Sequence, residues 1–334
     1  MKIAVVGAGS WGTALAKVLS EKGHEVFLLA RRSEVAEAIN HRRENPQYLP
    51  GIILPAELQA SVEPEVLRDR ELILWVVPCQ SLRGVLKSLR DYLGSDTPMI
   101  SAIKGIEIES GKTPFEVLQE FFPENRALMV LSGPSFALEV ANRLPTAVVL
   151  AGEDEKLVHS FQEALSLPYF RIYRSLDVRG VELCGALKNI IAIAAGISDG
   201  LGLGLNARAA LITRGLSEII RLGVKLGAKS ITFSGLAGLG DLVLTCTGNL
   251  SRNYTVGFRL GKGEKLSEIL QDLHQVAEGL KTALAVKKLS EKHQVEMPIS
   301  EAVYRILYEE ESPAEVLRKL LSRPLKAEFE VLPL

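Results

Sequence analysis

Cysteine is scarce, with three in 334 residues, at positions 79, 184 and 246. They are far apart and odd in number, so they supply neither a disulfide framework nor metal-ligand spacing. That usage fits a reducing, cytoplasmic setting. The five histidines, at 24, 41, 159, 274 and 293, make no H-x-x-x-H or H-E-x-x-H pattern, and no metal is expected. The net charge of −1 excludes a bulk pull toward nucleic acid or a membrane surface, although 39 basic residues leave room for local basic pockets. No signal peptide and no membrane anchor are expected. The chain enters a strand pattern at its second residue, and the apolar run Ile190–Ile197 falls far short of the ~20 residues that span a bilayer. Proline is absent from Asp177 to Glu296, which leaves long helices uninterrupted there. Internal repeats and low-complexity segments are absent too.

What is present is a globular composition, 47% apolar and 24% charged, in a length that suits about two domains. The stretch Lys2–Leu19, KIAVVGAGSWGTALAKVL, organises the reading. Ile3–Val6 has no polar break and suits a strand buried on both faces. Gly7, Gly9 and Gly12 follow as G-x-G-x-x-G. Trp11, Ala14, Leu15, Val18 and Leu19 then fall on one helical face. A strand before and a helix after is the context in which this motif binds a dinucleotide. Gly7 allows the tight turn, Gly9 lets the backbone approach a pyrophosphate, and Gly12 lets the helix pack on the strand. The helix N-terminus offers unpaired N–H groups to the phosphates.

His24–Ala30 reads as the second strand. It runs into Arg31 and Arg32 instead of the acidic residue that holds a ribose hydroxyl in NAD sites. Two guanidinium groups suit a 2′-phosphate, so NADP(H) is favoured over NAD(H), with NAD(H) still open. Further strands are expected at Leu72–Val77, Met99–Ile103, Ala127–Leu131 and Thr146–Leu150, with an amphipathic helix over Ser81–Leu93. Alternating strands and helices mean a doubly wound, mainly parallel α/β sheet of Rossmann type. Ligands then sit beyond the carboxyl ends of the strands, where Lys104 and the Gly133–Ser135 turn lie. Residues 1–176 form the expected dinucleotide-binding domain, and residues 177–334 an all-helical domain for substrate and catalysis.

In the second part, Val181–Ile197 reads as a helix in which Lys188 has only Cys184, Gly185, Ile191 and Ala192 as helical neighbours. Either it is desolvated there and tunable as an acid or base, or it snorkels to solvent. Asn189 beside it can hydrogen-bond a polar substrate. Ser198–Asn206 reads as a Gly-rich loop with Asn206 as N-cap of a helix over Ala207–Gly227. In Ser234–Asn253, Asp241 is a carboxylate partner for a buried lysine, and Thr245, Ser251, Arg252 and Asn253 are donors suited to a phosphate. The same cluster also reads as helix caps. Glu278, at the start of the next helix, is an acceptor for a cofactor hydroxyl or amide, or simply a first-turn glutamate. Pro298–Leu321 reads as helical scaffold.

Taken in order, GAGSWGTA at 7–14, SAIKGIE at 101–107, LSGPSFA at 131–137, ELCGALKNIIAIAAGISDGLGLG at 182–204, ARAALITRGLSEI at 207–219, GLAGLGDLVLTCTG at 235–248, SRNYTVG at 251–257 and VAEG at 276–279 resemble the bacterial-type glycerol-3-phosphate dehydrogenases. The resemblance implies an NAD(P)-dependent interconversion of dihydroxyacetone phosphate and sn-glycerol 3-phosphate, with the active site between a Rossmann-like and a helical domain. It implies dinucleotide contacts from Ser10, Trp11, Arg31, Arg32, Lys104, Ala137, Arg252, Val276 and Glu278. Lys104, Gly133, Ser135, Lys188, Asp241, Ser251, Arg252 and Asn253 would hold the substrate, with Lys188 as catalytic acid/base. A homodimer is implied in the same way. Two other readings compete: a reductase of a hydroxy acid or acyl substrate on the same plan, and a dinucleotide sensor without catalysis. The sensor has no use for a lysine such as Lys188 beside a phosphate-binding cluster.

Overall fold

Short apolar runs with no polar break become strands covered on both faces. The computed structural model describes residues 1–248, 250–272, 277–325 and 327–328. Its strands are β1 (Lys2–Val6), β2 (Glu25–Leu29), β3 (Gln59–Ser61), β4 (Leu72–Trp75), β5 (Met99–Ser101), β6 (Leu128–Ser132), β7 (Thr146–Gly152) and β8 (Phe170–Ser175). They form one sheet in the order β3-β2-β1-β4-β5-β6-β7-β8. Helices α1 (Ser10–Glu21), α2 (Ser33–Glu37), α3 (Leu82–Leu89), α4 (Pro114–Phe121), α5 (Ala137–Ala141) and α6 (Glu155–Leu165) lie in the connections. The period of two is visible in the core. Ile3, Val5, Leu72 and Leu74 face one apolar layer, while Ala4, Val6, Ile73 and Trp75 face the other.

All neighbouring strands are parallel except β6 and β7, which pair antiparallel from Met129↔Gly152 to Ser132↔Val149. The reason lies in α5. Its five residues span roughly 7.5 Å, too little to carry the chain back along β6, so β7 starts from the end where β6 stopped. The sequence reading does not include the two outer strands, β3 and β8, although β8 carries the period-two alternation of a half-covered strand. β3 is only Gln-Ala-Ser, and β8 alternates Phe170 and Ile172 with exposed Arg171 and Tyr173.

Beyond β8 the described structure is helical: α7 (Val178–Gly200), α8 (Gly204–Lys225), α9 (Asp241–Thr247), α10 (Arg252–Gly261), α11 (Leu266–Asp272), α12 (Glu278–His293), α13 (Pro298–Tyr308) and α14 (Pro313–Leu321). Helix α7 is the axis of this part. Asp177 caps it, accepting from Gly180 N at 3.0 Å, and the other carboxylate oxygen accepts from Lys229 N and Thr232 Oγ1. It is long and apolar enough to cross a membrane, yet it is buried inside the protein, surrounded by α8, α9, α10, α12 and α13. The apolar layer beneath the second face of the sheet runs without a break into the residues of α7.

Two sequence expectations change here. Helix α8 begins at Gly204, so Asn206 lies inside its first turn and is not the N-cap. Gly202 and Gly204, with φ of 74° and 84°, reverse the chain sooner than the sequence reading places the turn. The stretch from Pro298 to Leu321 is two helices, the second starting at Pro313.

Helices α7 and α10 approach at backbone distance through glycine. A methyl group added to Gly257 would lie 2.0 Å from Ile193 O, and one added to Gly196 would lie 2.1 Å from Tyr254 O. Gly257→Ala is therefore expected to push α10 off α7 and to cost about 1–3 kcal/mol of stability in urea unfolding. Gly84→Ala, at an exposed position of α3 with nothing near the added methyl, is expected to gain up to about 1 kcal/mol.

Candidate active site

The Gly-rich turn is built by close contacts. Gly7, at φ 117°, would place a methyl group 2.7 Å from Val76 O, and a methyl on Gly12 would lie 1.8 Å from Gly7 O. Neither position tolerates a side chain. Gly9 differs, because no described residue lies within 4 Å of the methyl it lacks. It precedes α1, and no side chain caps that helix. An open surface over uncapped N–H groups is what a pyrophosphate needs. Ser10 and Trp11 open α1. Ser10 Oγ donates to Tyr48 O at 2.6 Å, while Trp11 Nε1 is buried with no acceptor among the described residues. Arg31 and Arg32 follow β2, and Ala137 opens α5 after β6. These residues fit a dinucleotide.

Lys188 sits midway along α7 and does not snorkel; its side chain is 8% exposed. Its Nζ donates to Thr245 Oγ1 at 2.6 Å and to Asp241 Oδ1. Asp241 is the first residue of α9 and is fully buried. Its second oxygen, Oδ2, accepts from Lys104 Nζ at 2.7 Å, and Lys104 also donates to Gly133 O at 3.0 Å. One carboxylate thus joins a lysine after β5, a lysine inside α7 and the carbonyl after β6. Burial pushes the Lys188 ammonium down to about 7, against the pull of Asp241 and with the repulsion of Lys104. With both lysines protonated the cluster carries one net positive charge, suited to an oxyanion.

Beside it, Ser251 caps α10, its Oγ accepting from Tyr254 N at 3.2 Å. Asn253 in the first turn of α10 bridges two elements. Its Oδ1 accepts from Gly279 N and its Nδ2 donates to Asn189 Oδ1, both at 3.0 Å. Arg252 lies between Ser251 and Asn253 with an exposed side chain. Ser135 Oγ donates to Gly133 O at 3.0 Å. Glu278 Oε1 accepts from Cys79 N at 3.2 Å, and its Oε2 is buried with no partner among the described residues. Burial raises the Glu278 carboxyl, partly offset by the Cys79 N–H. An orphaned carboxylate oxygen this far inside fits a donor from a bound dinucleotide. Val276 lies outside the described residues.

The structure thus brings Lys104, Gly133, Ser135, Lys188 and Asp241 into one cluster. It joins Asn253 to Asn189 and to α12, and it links Glu278 to the segment after β4. Arg31 and Arg32 stand apart, at the end of β2. The sequence reading missed the Cys79 N–H, Asn45 and Tyr48. Cys79 follows the carboxyl end of β4, which is a usable signal; Asn45 and Tyr48 lie in a Pro-containing loop with no pattern.

A family model described as "NAD-dependent glycerol-3-phosphate dehydrogenase N-terminus" matches residues 2–158, and its C-terminus counterpart matches residues 177–318. The chain belongs to the NAD-dependent glycerol-3-phosphate dehydrogenase family. A relative named glycerol-3-phosphate dehydrogenase [NAD(P)+] from Leptospira biflexa is 50% identical over 331 residues, covering 98% of this chain and 99% of its own. Among solved structures, the glycerol-3-phosphate dehydrogenase of Coxiella burnetii superposes with a TM-score of 0.92 at 43% identity, covering 96% of this chain and 98% of that one. The yeast enzyme superposes at 0.82 with 30% identity, covering 97% and 99%.

In this family member, Asp241→Asn leaves two lysines facing each other without their shared counter-charge. The expected result is a loss of about 3–5 kcal/mol in stability and a further fall of the Lys188 ammonium below about 7. Urea unfolding and the pH dependence of turnover measure the two effects.

Proposed function

We propose that this chain catalyses the NAD(P)-dependent interconversion of dihydroxyacetone phosphate and sn-glycerol 3-phosphate, running mainly as a reductase that supplies glycerophospholipid synthesis in the cytoplasm. The observation that carries the reading is the buried Lys188 paired with Asp241, next in sequence to Asn189, which Asn253 in the first turn of α10 bonds. Family membership and the names of the relatives support it. A division at residue 176/177 and a homodimeric state are part of the proposal.

A bound nicotinamide dinucleotide supplies the hydride. It would be held by Gly7, Gly9, Gly12, Ser10 and Trp11 at the first turn, by Arg31 and Arg32 beyond β2, by Lys104, Ala137 and Arg252, and by Val276 and Glu278. Lys188 as an ammonium polarises the ketone oxygen and gives it a proton as negative charge develops there. In the reverse direction neutral Lys188 takes the proton from the alcohol. Asp241 and Thr245 hold the Nζ in place, and Lys104 adds a second positive charge facing the same carboxylate. The substrate phosphate lies away from the reacting carbon, on Ser251, Arg252, Asn253 and the N–H groups that open α10. Gly133 and Ser135 close the substrate side. Binding the phosphate remotely holds the carbonyl in register with the lysine.

Reduction with dihydroxyacetone phosphate is expected to be fast and to fail with unphosphorylated dihydroxyacetone. Lys188→Ala is expected to abolish turnover while the variant still binds dinucleotide. Because burial holds Lys188 at about 7, its proton is lost as pH rises through that value. Reduction should therefore decline, and oxidation of glycerol 3-phosphate should climb, across the same window. Unchanged turnover in Lys188→Ala would refute the assigned role.

A further inference from the structure

We propose that Gln47 and Tyr48 are positioning residues for cofactor choice, holding the Arg32 guanidinium as the group that reads the 2′-phosphate of NADPH. This rests on the dinucleotide site proposed above. Arg32 follows β2, at the strand end where a ribose is recognised. Its Nη2 donates to Tyr48 OH at 2.7 Å and to Gln47 Oε1. Its guanidinium carbon also lies 5.6 Å from the centroid of the Tyr48 ring, within cation–π range. Its Nε and Nη1 donate to no described residue, and no carboxylate pairs with either Arg31 or Arg32 among the described residues. The nearest acidic residue in sequence, Glu34, is exposed on α2. One edge of the guanidinium is therefore fixed, and the rest of the planar fork keeps its charge and its donors.

The holder is itself anchored to the Gly-rich turn. Tyr48 O accepts from Ser10 Oγ at 2.6 Å. Asn45, fully buried, donates from Nδ2 to Ala8 O at 3.0 Å and to Thr13 Oγ1 at 2.8 Å. The segment 45–48 thus links the first turn of α1 to the arginine beyond β2. A dinucleotide must meet both places at once, and only NADPH carries a 2′-phosphate on its adenosine ribose. The segment acts on that phosphate through Arg32, so NADH should not sense it.

The test is dinucleotide binding by calorimetry, without substrate, for NADPH and NADH. Losing one hydrogen bond to a charged group is expected to raise the NADPH Kd about 3–10-fold in Tyr48→Phe and in Gln47→Leu, while the NADH Kd stays within about twofold. Arg32→Ala should weaken NADPH by more than either. Adding Tyr48→Phe or Gln47→Leu to Arg32→Ala should then have no further effect, because both act through that arginine. Thermal unfolding checks each variant. Gln47 is exposed, so Gln47→Leu carries the test if Tyr48→Phe fails to fold. Equal losses for the two cofactors, no loss, or undiminished losses in the Arg32→Ala background would overturn the proposal. A wild-type protein that binds both cofactors equally would overturn it and leave the dehydrogenase reading intact. Binding of neither would overturn the dinucleotide site and this inference together. Binding needs no turnover, so failure with dihydroxyacetone phosphate would refute only the substrate.

Discussion

Asp241 has no exposed surface, and its two oxygens are taken by lysines from distant parts of the chain. Lys104 arrives from the end of β5, Lys188 from the middle of α7. At an effective dielectric of ~20, unit charges 4 Å apart interact by about 4 kcal/mol, close to the several kcal/mol it costs to desolvate each ion. The cluster is therefore a poor glue. In the proposed reaction its part is to place a proton near the point of transfer. Burial alone would strip Lys188 of its charge, and the carboxylate alone would keep it charged at any working pH. The two together leave the group poised at about 7. Every element around the site has to keep water out for that balance to hold.

Helix α7 provides the enclosure. It carries Glu182, Lys188, Asn189 and Ser198 as buried polar residues, with charged Arg179 and Asp199 near its two ends and apolar or small residues elsewhere. Its glycines let α10 lie against it at backbone distance, which brings the first turn of α10 over Asn189 and toward α12. Bulkier residues at Gly196 or Gly257 would separate the lysine from the donors on α10. Packing and electrostatics are one arrangement here: the helix that fills the core also carries the buried lysine that bonds Asp241.

The Gly-rich turn depends on a different device. Gly7 and Gly12 are demanded by backbone contacts, while Gly9 leaves open space above the start of α1. Asn45 and Ser10 then bond the loop after α2 onto that turn. The loop makes no periodic pattern, yet it sets where Arg32 points.

Much of this was legible in the residues. Unbroken apolar runs showed β1, β2, β4, β5, β6 and β7, because burial on both faces leaves no alternative composition. The isolated lysine at 188 stood out against small and apolar neighbours. Of the outer strands, β3 is too short and polar to read, whereas β8 alternates with period two, a weaker signal than an unbroken apolar run. Local composition determined which segments are strands and helices, and which residues have the chemistry for phosphate, proton and dinucleotide. Only the tertiary structure decided that Lys188 and Lys104 share Asp241, that β7 turns antiparallel and that Tyr48 holds Arg32. Those are contacts between residues 16 to 137 positions apart, and no local preference encodes which distant partner a side chain meets.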